Sequence, residues 1–198
     1  MCGKDRYFRG DEFVFEGPQV NLLQESAIDR VVSYFRKVGR NGMLYGLMRR
    51  KQLSTLPFQQ LLAGDWLLMS SIAFCGKAVT LDTVSINRSA QGESDNVENL
   101  AARMGLPPYL ARHPFLVISW NIVRDIGWAS PSYEALSAAS RFQLAIRAAW
   151  GVVSRYGLAR YLSPVERLSQ RVRRIAQKAG RTTGVLLDRH VLWRFRSK

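Results

Sequence analysis

Apolar positions recur at helical spacing in the stretch NLLQESAIDRVVSYFRKVG. Leu23, Ala27, Val31, Tyr34 and Val38 form one stripe, Asn21 with Gln24 resembles a capping box, and Gly39 reads as a left-handed stop. The pattern predicts a helix. Upstream, RYF and EFVFEG read as short extended pieces that end at the Gly17–Pro18 turn. GMLYGLMRR places Met43, Tyr45 and Leu47 on one side and Leu44 and Met48 on the other, the two-sided apolar pattern of a strand buried within a sheet. Gly46 in its middle marks a bulge or a close approach to the backbone. DWLLMSSIAFCGK predicts a helix over Asp65–Cys75, with the acid at its positive end and Gly76 as its stop. KAVTLDTVSINR is strand-like, and this alternation of strands and helices predicts an α/β layer.

Beyond the polar loop SAQGESDN the period changes. Ser94 reads as the cap of DNVENLAARMG and Gly105 as its end, and helical pattern then runs to residue 162. Pro114 and Pro131 fall where helices can restart, and SPSY offers a Ser cap with Pro at the first helical position. In SPVERLSQRVRRIAQKAG the residues Val165, Leu168, Val172, Ile175 and Ala179 make an apolar stripe flanked by Arg167, Arg171, Arg174 and Lys178. Three regions are expected: an α/β part over residues 1–92, a helical part over 93–162 and a basic amphipathic tail over 163–198.

Composition narrows the class. The chain has 198 residues, 47% of them hydrophobic, including five Trp, which favours a packed interior. No run of eighteen uncharged apolar residues exists, and the charged, aromatic start MCGKDRYFRGDEF lacks a secretory apolar core, so a cytoplasmic location is expected. Cys2 and Cys75 have no zinc-site neighbourhood, and His113 and His190 lack acids or cysteines at ligand or triad spacing. No metal site is expected. The net charge of +14 is concentrated: Arg155–Lys198 holds twelve basic residues against two acids. The body of the chain therefore needs a separate explanation.

On pattern alone, Tyr45 fits a core position, Arg49 and Arg50 a solvated strand end, and Asp65 a helix-dipole acid. Their order adds to this. The run from NGMLYGLMRRKQL through AGDWLLMSSIAFCGKAVTL to INRSAQGESDN resembles the acceptor-side half of glycosyltransferase family 2, an inverting family of GT-A type fold. The elements are Tyr45, Gly46, Arg49 and Arg50; Asp65 and Trp66; Gly76 and Lys77; Arg88; and Gly92 with Ser94, within roughly residues 30–105. The fold implied is a partial GT-A-like α/β sheet with helices, followed by a mainly helical C-terminal region. The resemblance makes Asp65 the general base for the acceptor hydroxyl. It gives Trp66 a flat face for a sugar, Gly46 a close approach of the donor, and Arg49 the offsetting of phosphate charge. Arg50 and Arg88 are weaker candidates, and Tyr45 belongs to the same substrate-binding set.

A complete family member also carries a nucleotide-binding βαβ unit and an Asp-x-Asp motif that holds a divalent metal, and neither is found in this sequence. The resemblance therefore implies a split or truncated enzyme. Its partners would be a chain supplying the nucleotide half, a nucleotide-sugar and a lipid-linked acceptor, with Mg or Mn only in the complete enzyme. The tail interleaves basic residues with Leu, Val, Trp193 and Phe195, the composition of a helix lying in lipid headgroups. Trp120, Trp128 and Trp150 suit the same interface, which would place the protein on the inner face of the membrane. Arg167, Arg171, Arg174, Lys178 and Trp193 are its candidate contacts. Nucleic acid is disfavoured, since no zinc-finger, RNP or zipper pattern occurs. The alternative to an enzyme is a non-catalytic basic adaptor for an anionic membrane surface or nucleic acid.

Overall fold

The sheet begins with a hairpin whose turn needs a glycine. In the computed structural model, which describes residues 1–91 and 96–157, β1 (Cys2–Arg9) and β2 (Glu12–Glu16) pair antiparallel. Gly10 between them has φ of 61°, a conformation that costs glycine least. Tyr7 stacks on Phe15 with centroids 4.5 Å apart, and Phe8 meets Phe13 edge to face. β3 (Thr80–Ser89) joins the other side of β1 in parallel, giving the order β2-β1-β3 and the register pair Tyr7↔Arg88. A parallel pair needs a long crossover, and α1 (Ala27–Lys37) and α3 (Gly64–Cys75) lie within it.

The first helix starts later than its capping pattern implies. Ser26, whose hydroxyl accepts from the Asp29 N–H, caps α1, while Asn21 is taken by the Thr80 N–H of β3. Its end is also different: Val38 is the cap, and Gly39 is not left-handed. Val31, Tyr34 and Val38 are buried as the stripe predicts. Arg30, also buried, donates to the carbonyls of Ala73 and Phe74, satisfying the carboxyl end of α3.

The segment read as a buried strand is not one. Gly42–Tyr45 forms a 3₁₀ turn, the chain then runs irregularly to the short helix α2 (Arg50–Leu53), and Leu47 is 79% exposed. The Leu47 N–H bonds to the Met1 carbonyl and the Met1 amine to the Leu47 carbonyl, so this segment meets the start of β1 through one reciprocal pair of backbone bonds rather than through a ladder. In contrast α3 spans Gly64–Cys75, one residue longer than predicted, with Gly76 as its cap and Trp66, Leu67, Leu68, Met69 and Ala73 buried. An almost wholly apolar helix must be enclosed. β3 lies where the Val- and Thr-rich run predicts.

Past residue 95, α4 (Val97–Arg103) is capped by Asn96 and closed by Gly105 at φ of 77°. α5 (Pro108–Ala111) and α6 (Pro114–Arg124) follow, each with proline in its first turn. Pro131 restarts only a single 3₁₀ turn, capped by Ser130, and α7 (Ala138–Val152) takes Ser137 as its own cap. One core contains Leu67 and Met69 of α3, Ala101 of α4, Ile118 and Ile122 of α6 and Leu144 and Ala148 of α7. Residues 1–157 form one compact α/β unit, in which described residues on both sides of position 92 share this core. The tail candidates Arg167, Arg171, Arg174, Lys178 and Trp193 lie outside the described residues, as do Gly92 and Ser94. Among the described residues no helix is long and apolar enough to cross a membrane.

Candidate functional site

The start of α3 is built by an unusual turn. Ala63 adopts φ of 62°, left-handed backbone that a residue with a Cβ occupies at a cost of about 1–2 kcal/mol. The following Gly64 leaves no space for a side chain, since a Cβ there would stand 2.0 Å from the Gln59 carbonyl oxygen. Its N–H bonds to the Leu61 carbonyl, and the Ala63 carbonyl accepts from Trp66 and Leu67. The turn therefore fixes where Asp65 emerges, on the first turn of the helix.

Asp65 is held by a relay. The Asn41 side-chain amide donates to Oδ2 at 2.9 Å, and the Tyr34 hydroxyl donates to the Asn41 Oδ1 at 3.1 Å. Burial, reinforced by the Asp65 charge, pushes the Tyr34 hydroxyl well above its ordinary pKa, so it remains a donor. Asn41 is itself buried. Oδ1 of Asp65 has no hydrogen-bond partner among the described residues.

Asp65 lines a cavity of about 190 Å³ together with Tyr45, Trp66, Arg40 and Arg88. Arg88 comes from β3 and is fixed at several points. Its guanidinium donates to the Tyr7 hydroxyl at 2.8 Å, pairs with Asp5 at 3.3 Å and lies 4.7 Å from the centre of the Tyr45 ring. Arg40 lies over Tyr7 and Phe15 and bonds to the Ala90 carbonyl. Asp5 is buried, and its carboxyl is pushed up by desolvation, with Arg88 opposing the shift. Burial likewise raises Tyr7.

The predicted site residues divide. Tyr45, Asp65, Trp66 and Arg88 converge on this cavity although up to forty-three positions separate them. Trp66 is only 9% exposed and packs toward Tyr156, so it contributes a wall, whereas Tyr45, 57% exposed and pinned by Arg88, presents the open aromatic face. The exposed aromatic face on this cavity is therefore that of Tyr45 rather than Trp66. Arg49 lies elsewhere, on a separate cavity of about 590 Å³ bordered by Met48, Met69 and Lys77. The close approach expected at Gly46 belongs to the chain itself: a Cβ there would meet the Met1 carbonyl oxygen at 2.6 Å. Neither Arg49 nor Gly46 stands beside Asp65.

Sequence reasoning missed Asn41, Tyr34, Arg40, Tyr7 and Asp5. A lone Asn in a loop carries no period, and the two tyrosines read as ordinary apolar-stripe or strand residues. Among the described residues no group of three His, Cys, Asp or Glu is placed to hold a metal. One carboxylate bordered by guanidiniums does not suit a divalent cation. It suits proton acceptance from a hydroxyl, with an anionic group drawn to the arginines. Comparison with known protein families, with curated proteins and with solved structures finds no match for this chain.

Proposed function

We propose that the chain is the acceptor-side part of a GT-A-like, family-2-like glycosyltransferase, in which Asp65 is the general base that takes the acceptor hydroxyl proton. The observation that supports this reading is the convergence of Asp65, Tyr45 and Arg88 on one cavity, with the carboxylate oriented by Asn41. Tyr45 offers the face for a sugar ring. Arg88 and Arg40 favour the anionic leaving group of a nucleotide-sugar without entering covalent chemistry. The nucleotide-binding half would come from a partner chain or from further sequence.

The test uses the protein assembled with whatever supplies that half, a labelled nucleotide-sugar and a lipid-linked acceptor. Asp65→Asn should lower the transfer rate by about 10²–10⁴-fold while donor affinity is retained. A variant that transfers sugar at the wild-type rate removes Asp65 from the chemistry.

A further inference from the structure

α6 and α7 run antiparallel. Tyr156, just past α7, stacks on Phe115 at the start of α6 with centroids 4.5 Å apart, while Arg141 near the start of α7 donates to the carbonyls of Ile126 and Ser130 beyond the end of α6. Both helices turn their buried sides to the same core. Leu116 and Trp120 on α6 are exposed, and the Trp120 ring meets Trp128 edge to face at 5.9 Å. On α7, Phe142, Ile146 and Trp150 are exposed at intervals of four, one helical stripe. Leu116 follows Phe115, which faces Tyr156 at one end of the pair, and Phe142 follows Arg141, which faces the end of α6 at the other, each by one position and so by a rotation of about 100°. In an antiparallel pair backed by one core, both stripes then fall on the outer side, next to each other.

The result is an outward apolar face of six large side chains, on the order of 500 Å², at the upper end of what a monomer exposes. Its chemistry selects a partner. Three of the six are Trp, the residue that settles at the boundary between headgroups and acyl chains. Residues 104–157 hold five arginines and two acids, and of those acids Asp125 is buried, leaving Glu134 as the exposed one. A second copy seated on this face would bring the same excess of arginine over acid in residues 104–157, whereas anionic headgroups bring the opposite sign. Neither helix is long enough to span a bilayer, so the pair would lie flat.

We infer that the outer face of α6 and α7 seats the protein on an anionic lipid bilayer, with Trp120, Trp128 and Trp150 in the interfacial layer. This holds whether or not Asp65 is a general base, and the two fail separately: the lipid test reads binding, the transfer assay reads chemistry.

The experiment measures the full chain against vesicles of phosphatidylcholine alone and of phosphatidylcholine with phosphatidylglycerol, by cosedimentation and by quenching of Trp fluorescence with acyl-brominated lipid. Binding should require phosphatidylglycerol and be accompanied by quenching. Trp120→Glu with Trp150→Glu should weaken it by about tenfold or more. These positions are 59% and 58% exposed, so circular dichroism should report an intact fold. Should the charged variant not fold, the Phe substitutions of Trp120, Trp128 and Trp150 decide when made in a Trp193→Phe background that is itself quenched, because of the five Trp only the buried Trp66 is then left and quenching must disappear. Quenching that survives in the Phe variant, unchanged binding by the folded Glu variant, or no binding to either vesicle overturns the inference. So does a lipid-free dimer that the Glu variant dissociates, since the face would then belong to a second copy.

Discussion

The cavity at Asp65 and the outer face of α6 and α7 break the ordinary partition of a folded chain in opposite senses. At the first, polar groups are drawn inward: Asn41, Asp5 and Arg88 are buried or half-buried, and each is tied to a named partner. At the second, rings are turned outward beyond what packing requires. A buried polar group costs about 1–3 kcal/mol unless it is paired, so the cavity is maintained by a connected network. An exposed ring costs the fold little and the network nothing. The difference teaches that the two regions respond differently to mutation: the cavity couples orientation to stability, while the outer face is separable from the fold.

The comparison breaks most sharply at Gly64. Gly64→Ala drives a Cβ into the Gln59 carbonyl and should destabilise the unit by about 3 kcal/mol or more, read as a lower denaturant midpoint, whereas the outer-face Trp variants should leave that midpoint within about 0.5 kcal/mol. Equal losses at the two regions would erase the distinction.

A smaller effect is expected at the relay. Asn41→Ala leaves Tyr34 and Asp65 without their shared partner, at a cost of about 1–3 kcal/mol, and should lower transfer by about tenfold through misorientation of Asp65. Asn41 is a positioning residue, so the loss should fall on kcat more than on KM. A variant that loses stability alone would make the relay purely structural.

The smallest effect concerns pH. The folded pKa of Asp5 is raised above 3.8 by burial, so the protonated form is favoured in the fold. Its contribution is fully present below about pH 3.8 and is lost as pH rises through the elevated folded value. Asp125, also raised by burial, acts in the same direction. Unfolding free energy of the wild type should therefore decline across this weakly acidic range relative to Asp5→Asn, and parallel curves would mean that Asp5 titrates as it does when unfolded.

Much of this was legible where local chemistry and tertiary packing agree. α3 is readable because an unbroken apolar run with an acid at its head and Gly76 at its end has one economical conformation. The left-handed Gly105 is equally plain. GMLYGLMRR does not form a strand because alternation describes one only if a neighbour supplies a ladder, and here the chain end at Met1 offers one reciprocal pair of bonds to Leu47. The α1 cap moved to Ser26 because β3 claims Asn21, a long-range competition that local sequence does not encode. Asp65 stood out as a carboxylate opening a helix. Asn41, twenty-four positions away, becomes visible only once the chain brings it there.

Transfer by the assembled protein tests the proposed role of Asp65 most directly. Asp65→Asn should lower kcat by about 10²–10⁴-fold with donor affinity retained, and Asp65→Glu, which restores a carboxylate, should recover part of that loss. A wild-type rate in Asp65→Asn would place the general base on another residue.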